Sequence, residues 1–232
     1  MSVPQLPLAL RTPPDQRLDS FIDAPAGALA QLQALAQVPG ADWLYLSAAH
    51  GAGKTHLALA ACASAGEAGR AAAYLPLQAA RGHAQQALDG LEGNALVVLD
   101  GLQAIAGERS DEIALFDFYN RARAAGIGVL YTASDLPDEI GLLLPDLRSR
   151  LGQCARIVLR ALDDAGRAAL LRDRAARRGL ALEDAAVDWM LARTAREPAR
   201  MVELIERLDR ASLAAQRRVT VPFLRQVLAG EG

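Results

Sequence analysis

The sequence predicts a parallel α/β domain over residues 17–160, followed by a small all-helical domain over 161–232. Three observations carry this reading. Short, nearly continuous apolar runs alternate with helical patterns, as they do when a parallel sheet is covered on both faces. The first of these runs leads through a glycine-containing loop directly into a helix. Beyond residue 160 the runs stop and only helical periodicity remains.

The elements follow in order. Residues 1–16, MSVPQLPLALRTPPDQ, carry four prolines and no periodic pattern, so they read as an extended tail and linker. Five runs read as strands: WLYLSA (43–48), AAAYLPL (71–77), ALVVLD (95–100), GVLYTAS (128–134) and ARIVLR (155–160). Helices fit between them, as in THLALAACASAGEAG (55–69) and DEIALFDFYNRARAAG (111–126). The second domain opens on a helix with Asp163 as its N-cap and Gly179 as its stop. Helical patterns over 183–195, 196–216 and 220–229 follow, the last capped by Thr220.

Composition narrows the function classes. Of 232 residues, 52% are apolar and only 4% aromatic, so the core is built from Ala, Leu and Val. A net charge of -2 argues against a chain that is basic overall and binds nucleic acid on that account, although a local patch stays open. Cys62 and Cys154 show no paired spacing, which fits free thiols in a reducing, cytoplasmic setting. No apolar run reaches the length of a membrane span, so no membrane partner is expected. Pro4 and Pro7 interrupt the first apolar stretch, and no positive segment precedes it, so a signal peptide is not expected.

The chain writes its positive charge almost entirely as arginine. Lys54 is the sole lysine among 25 Lys and Arg residues, and it stands in SAAHGAGKTH. The phosphate-loop pattern G-x-x-x-x-G-K-[ST] is met from Ala48 to Thr55 except that Ala48 replaces the first glycine. His50, Gly51, Ala52 and Gly53 form the turn, Lys54 faces phosphates, and Thr55 supplies a hydroxyl for Mg²⁺. A compact ammonium on a flexible stem fits between phosphates better than a planar guanidinium does. His56 flanks the loop on its other side. As metal ligands His50 and His56 lack further partners, and solvated or packed histidines are the plainer reading.

The run LVVLDG places Asp100 at the end of a buried strand, where a carboxylate can share the Mg²⁺ with Thr55. Many hydrolysing ATPases carry a second acid at the next position to orient water. This chain has Gly101, so weak self-hydrolysis is expected.

The phosphate loop, the Asp100 strand, LYTASDLP (130–137), LPDLRSRLG (144–152) and the helical C-terminal segment stand in an order that resembles AAA+ ATPases of the DnaA type. The blocks ALFDFYNRARAAG, LPDLRSRL and LDRASLAAQRRVTVPFLRQVL resemble the Hda family of short DnaA-like regulators. The resemblance covers nearly the whole chain. It implies an AAA+ core with a five-stranded parallel sheet and a helical lid, holding ADP or ATP with Mg²⁺. It places Ser134 or Asp135 near the γ-phosphate, and makes Arg150 an arginine finger acting in the site of a neighbouring subunit. Arg200 is the candidate second sensor of the lid, because an ungapped match puts Ala199 where the family has its arginine. Phe21 and Ile22 are candidates beside the adenine, a core contact being the plainer reading of Phe21.

The resemblance also extends to the tail. QLPLAL, with Gln5, Leu6, Leu8 and Leu10, resembles the peptide that binds the bacterial DNA polymerase III sliding clamp (the β subunit). The chain stops at Gly232, where DnaA continues into a helix-turn-helix domain, so sequence-specific duplex binding is not expected. The implied function is an inactivator of DnaA: an ADP-bound protein that joins the DNA-loaded clamp, stimulates ATP hydrolysis by DnaA and limits re-initiation of replication. A homo-oligomer, with Arg150 entering the pocket of a second copy of this chain, also stays open. Three rivals stay open: a self-hydrolysing AAA+ protein of helicase-loader type, a P-loop kinase, and a clamp-tethered adaptor without chemistry.

Overall fold

The computed structural model describes residues 17–193, 198–215 and 220–229. The chain divides between Leu159 and Arg160 into two compact units. The first contains, in order, α1 (Ala28–Gln37), β1 (Leu44–Ser47), α2 (Lys54–Glu67), β2 (Ala72–Pro76), α3 (Leu77–Ala80), α4 (Ala84–Leu88), β3 (Leu96–Asp100), α5 (Arg109–Ala125), β4 (Gly128–Ala133), α6 (Pro145–Gly152) and β5 (Ala155–Val158). The strands form one parallel sheet in the order β2-β3-β4-β1-β5.

Alternation explains why these strands read as continuous apolar runs. Successive side chains point to opposite faces. Tyr45, Val97, Leu99, Val129 and Tyr131 enter a core shared with residues of α3, α4, α5 and α6. Leu44, Leu46, Leu96, Val98 and Leu130 enter a second core against α1 and α2. Both faces are dry, so neither set can be polar. In α1, Ala28, Leu32, Leu35 and Ala36 are buried, the i, i+4, i+7, i+8 stripe of a helix lying on a sheet.

Four strands end short of the sequence reading, β1 at Ser47 and β4 at Ala133 by one residue each, and two others as follows. The run over 71–77 stops at Pro76, which has no N–H to extend the ladder, and Leu77 opens α3 as a fully buried residue. The last strand ends at Val158 rather than 160, although the Leu159 N–H still donates to the Ser47 carbonyl at 2.9 Å.

Two buried acids at the start of α5 organise the loops around it. Asp111 accepts from the N–H groups of Gly82 (2.7 Å) and Ala84 (3.2 Å), which pins the turn into α4. Glu112, fully buried, accepts from Gly107 (2.8 Å), Leu143 (2.9 Å) and Leu144 (2.8 Å). Leu144 is the N-cap of α6, so this carboxylate ties the start of α6 to α5. Glu112→Ala strips an anionic acceptor from three backbone donors, and hydrogen bonds to charged groups are worth about 1.5–3 kcal/mol each before water replaces them. A net loss of about 2 kcal/mol is expected, read as a lower urea midpoint. An unchanged midpoint would show that α6 is held without it.

The second unit contains α7 (Asp164–Arg177), α8 (Asp184–Arg193), α9 (Pro198–Ala215) and α10 (Val221–Ala229). Asp163 caps α7, its Oδ1 accepting from Gly166 N at 2.7 Å. At the other end Gly179 takes a left-handed conformation, φ 68°, and the Leu180 N–H closes back on Ala175 at 2.9 Å. Leu171, Val187, Met190, Met201, Ile205 and Leu224 form its core.

Candidate functional site

The phosphate loop leaves the carboxyl end of β1 and opens α2. Gly51 (φ 76°) and Gly53 (φ 94°) both take left-handed backbone, which side chains rarely adopt. At Gly53 there is a second constraint: a Cβ would lie 2.6 Å from the Phe21 ring. Lys54 Nζ donates to the carbonyls of Ala48 (2.6 Å) and Ala49 (3.0 Å). Its burial lowers the ammonium pKa, while the Asp100 and Asp135 carboxylates act in the opposite direction. Both acids therefore stand close enough to be felt at the lysine.

Asp100 lies at the centre of a hydroxyl cluster. Thr55 Oγ1 donates to Asp100 Oδ2 at 2.8 Å, and Tyr74 donates to the same oxygen at 2.7 Å. The Thr132 hydroxyl donates to Asp100 Oδ1. Sheet register causes this. Leu99 pairs with Tyr131, so Asp100 falls beside Thr132, and β2 brings Tyr74 from the other side. Burial, and then the hydrogen bond to Asp100, push the Tyr74 pKa up. A carboxylate and a threonine hydroxyl in contact at the start of a helix are the hard oxygen donors that suit Mg²⁺. Among the described residues no group of three or more His, Cys, Asp and Glu forms a separate metal site.

Gly101 has φ 88°, and its N–H donates to Thr132 Oγ1 at 2.9 Å. An acid here would have to adopt left-handed backbone. Ser134 and Asp135 follow β4: the Ser134 N–H donates to Gln103 Oε1 (3.0 Å) and the Asp135 carbonyl accepts from Tyr45 (2.9 Å). Tyr74, Thr132 and Gln103 were not singled out from the sequence. Tyr74 and Thr132 are polar interruptions of apolar strands, and that was the available signal.

Of the remaining candidates, Phe21 lies against the phosphate loop at Gly53. Phe21 is half-buried against the α1–α2 core and lies 5.5 Å, centroid to centroid, from His56. The His56 ring nitrogen Nε2 is 3.1 Å from the Arg17 carbonyl and 3.4 Å from Ser20 Oγ, so this histidine faces the N-terminal segment. Ile22 is half-buried, Ala52 buried and His50 exposed. Arg200 lies exposed in the first turn of α9, which begins at Pro198. Gln5, Leu6, Leu8 and Leu10 lie outside the described residues.

Arg150 stands elsewhere. In α6, Leu147 and Leu151 face the core, and Arg150 in the last turn is exposed. Its guanidinium carbon is 5.9 Å from the centroid of the Tyr119 ring. Tyr119 in turn meets Trp43 edge-on at 4.8 Å, and Trp43 immediately precedes β1. Arg150 thus lies at the amino ends of the strands and the phosphate loop at their carboxyl ends, about 17 Å apart along β1 alone at ~3.3 Å per residue. Other arginines of the α/β unit, Arg81, Arg121 and Arg148, pair with Glu108, Glu92 and Asp138. Among the described residues no carboxylate pairs with Arg150.

Comparison with known proteins matches residues 164–228 to the family model described as "Hda, lid domain". The C-terminal helices are thus similar to an Hda lid, and the chain as a whole has the fold of DnaA domain III. Domain III of the Thermotoga maritima replication initiation protein DnaA is similar with a TM-score of 0.75 at 17% identity, over 94% of this chain and 98% of that one. AMPPCP-bound DnaA from Aquifex aeolicus gives 0.68 at 21%, over 84% and 66%. A T158V variant of Thermotoga maritima RuvB gives 0.67 at 18%, over 92% and 71%. At these identities the likeness shows the fold. The α/β unit is an AAA+ core and the second unit an Hda-type lid. As the sequence reading expected, a five-stranded parallel sheet precedes a unit whose elements, among the described residues, are helices. Among the described residues no helix is long and apolar enough to cross a membrane.

Proposed function

We propose that this chain is a regulatory inactivator of DnaA. Its own pocket binds ADP (or ATP) with Mg²⁺ through Gly51, Gly53, Lys54, Thr55 and Asp100, and turns it over weakly. Ser134, Asp135 and Arg200 are its candidate sensors. Gln5, Leu6, Leu8 and Leu10 dock the tail on the DNA-loaded sliding clamp. Arg150 then enters the nucleotide site of ATP-loaded DnaA and stabilises the charge that develops on the transferred phosphoryl group.

One observation carries the reading. Arg150 is exposed, has no carboxylate partner among the described residues, and lies at the end of the sheet opposite the chain's own phosphate loop. A finger so placed serves another molecule. Gly101 supports the second half of the reading, since it places no water-orienting carboxylate after Asp100 in the chain's own pocket.

The test is hydrolysis of labelled ATP preloaded on DnaA, with this protein and ADP, with and without DNA-loaded clamp. Faster conversion when both are present is the expected result. Gln5→Ala combined with Leu8→Ala should remove the clamp-dependent part. Rapid ATP turnover by this protein alone, without effect on DnaA, would overturn the proposal in favour of a self-hydrolysing motor.

A further inference from the structure

The proposed trans role raises a positional problem. An exposed arginine side chain samples many rotamers, and both side-chain entropy and misplacement weaken a contact that must form only at a transition state. Arg150 has no ion pair among the described residues to hold it. Its guanidinium lies over the ring of Tyr119.

The ring itself is rigidly mounted. Tyr119 is 3% exposed and sits on the inner stripe of α5 with Leu115, Phe118 and Ala122. It meets Trp43 edge-on, 4.8 Å between centroids at 74°. Trp43 is itself fixed, because its indole N–H donates to the Ile127 carbonyl at 2.8 Å. Arg123 covers the outer side of the pair. Its guanidinium carbon is 3.9 Å from the Trp43 ring centroid and 5.5 Å from that of Tyr119, and its Nε donates to the Tyr119 hydroxyl at 3.3 Å. The backbone beneath Arg150 is held as well, through Glu112 at the start of α6.

We propose that Tyr119 is a positioning residue for Arg150: its ring face holds the guanidinium by cation–π attraction and leaves all five N–H donors free for phosphate oxygens. A carboxylate partner would hold the arginine too, but it would occupy those donors and neutralise the charge that the transition state needs. An aromatic face orients the cation without consuming either. This inference rests on the trans reading of Arg150 for its functional consequence, though not for its geometry.

Two variants test it. Tyr119→Phe keeps the ring and loses only the hydroxyl contact to Arg123. Tyr119→Leu keeps an apolar side chain and loses the ring face. In the DnaA hydrolysis assay, Tyr119→Phe should retain the maximal stimulated rate within about twofold. Tyr119→Leu should lose about tenfold, the order expected from loosening a reacting group. The concentration for half-maximal stimulation should be unchanged, and ADP affinity serves as the folding control. Equal rates for Tyr119→Leu and the unsubstituted protein would overturn the proposal. So would equal losses in both variants, because the hydroxyl rather than the ring would then be responsible.

A second readout does not depend on DnaA. The Arg150 Nε–Hε resonance should be shifted upfield by the ring current, keep that shift in Tyr119→Phe, and lose it in Tyr119→Leu. Absence of stimulation by the unsubstituted protein would remove the trans reading, while the resonance alone would still decide whether Tyr119 holds Arg150. An unshifted resonance in the unsubstituted protein would overturn the positioning role.

Discussion

Arg150→Ala is expected to abolish stimulation of DnaA while leaving this protein's own nucleotide binding intact. An arginine placed at the developing phosphoryl charge is worth about 10³–10⁵ in rate, so the stimulated component should fall to the unassisted level of DnaA. ADP affinity should not move, because the side chain lies at the strands' amino ends and the phosphate loop at their carboxyl ends. Folding should not move either. Arg150 is exposed and makes no ion pair among the described residues, and a cation–π contact at an exposed site is worth about 0.5–1 kcal/mol. Rate measurement on preloaded DnaA and titration with labelled ADP, done on the same preparation, separate the two effects. Loss of ADP binding together with stimulation would mean that the substitution had damaged the fold. Full stimulation by the variant would remove Arg150 from the mechanism.

Lys54→Ala carries the second large effect, and at the other end of the molecule. The ammonium is half-buried in the loop and donates to the Ala48 and Ala49 carbonyls. Facing phosphates it would make charge-assisted bonds in a partly desolvated place, each worth about 1.5–3 kcal/mol. Nucleotide affinity should therefore fall by roughly 10- to 100-fold, the same energy expressed as a ratio. Equilibrium binding of a fluorescent ADP measures it. Lys54→Arg should not restore affinity, because the planar guanidinium cannot take the place of a point charge between oxygens. Affinity unchanged in Lys54→Ala would show that the glycine turn and the start of α2 hold phosphate without the lysine.

Much of the core of this site was legible without coordinates. The loop from His50 to Thr55 is contiguous, its chemistry depends on residues a few positions apart, and Lys54 stands out in a chain that otherwise uses arginine. Asp100 was legible because a charge at the end of an apolar strand is conspicuous. The companions of Asp100 were not. Tyr74 and Thr132 are 26 and 32 residues from it, and only the strand order β2-β3-β4 makes them neighbours. The loop histidines show the converse. Both sit in the right place in the sequence, yet His56 is turned to Arg17 and Ser20, because a helix sends successive side chains in different directions.

By itself the sequence determined the parallel α/β core, the change to helices after residue 160, the phosphate loop and the missing acid at Gly101. These follow from periodicity and from local backbone chemistry, which act over a few residues. Only the tertiary structure decided that Gly101 sits in left-handed backbone beside Thr132. It alone placed Tyr119 under Arg150 and set both at the opposite end of the sheet from Lys54. Those facts depend on which strands and helices become neighbours, and packing over long sequence separations decides that where no local pattern can.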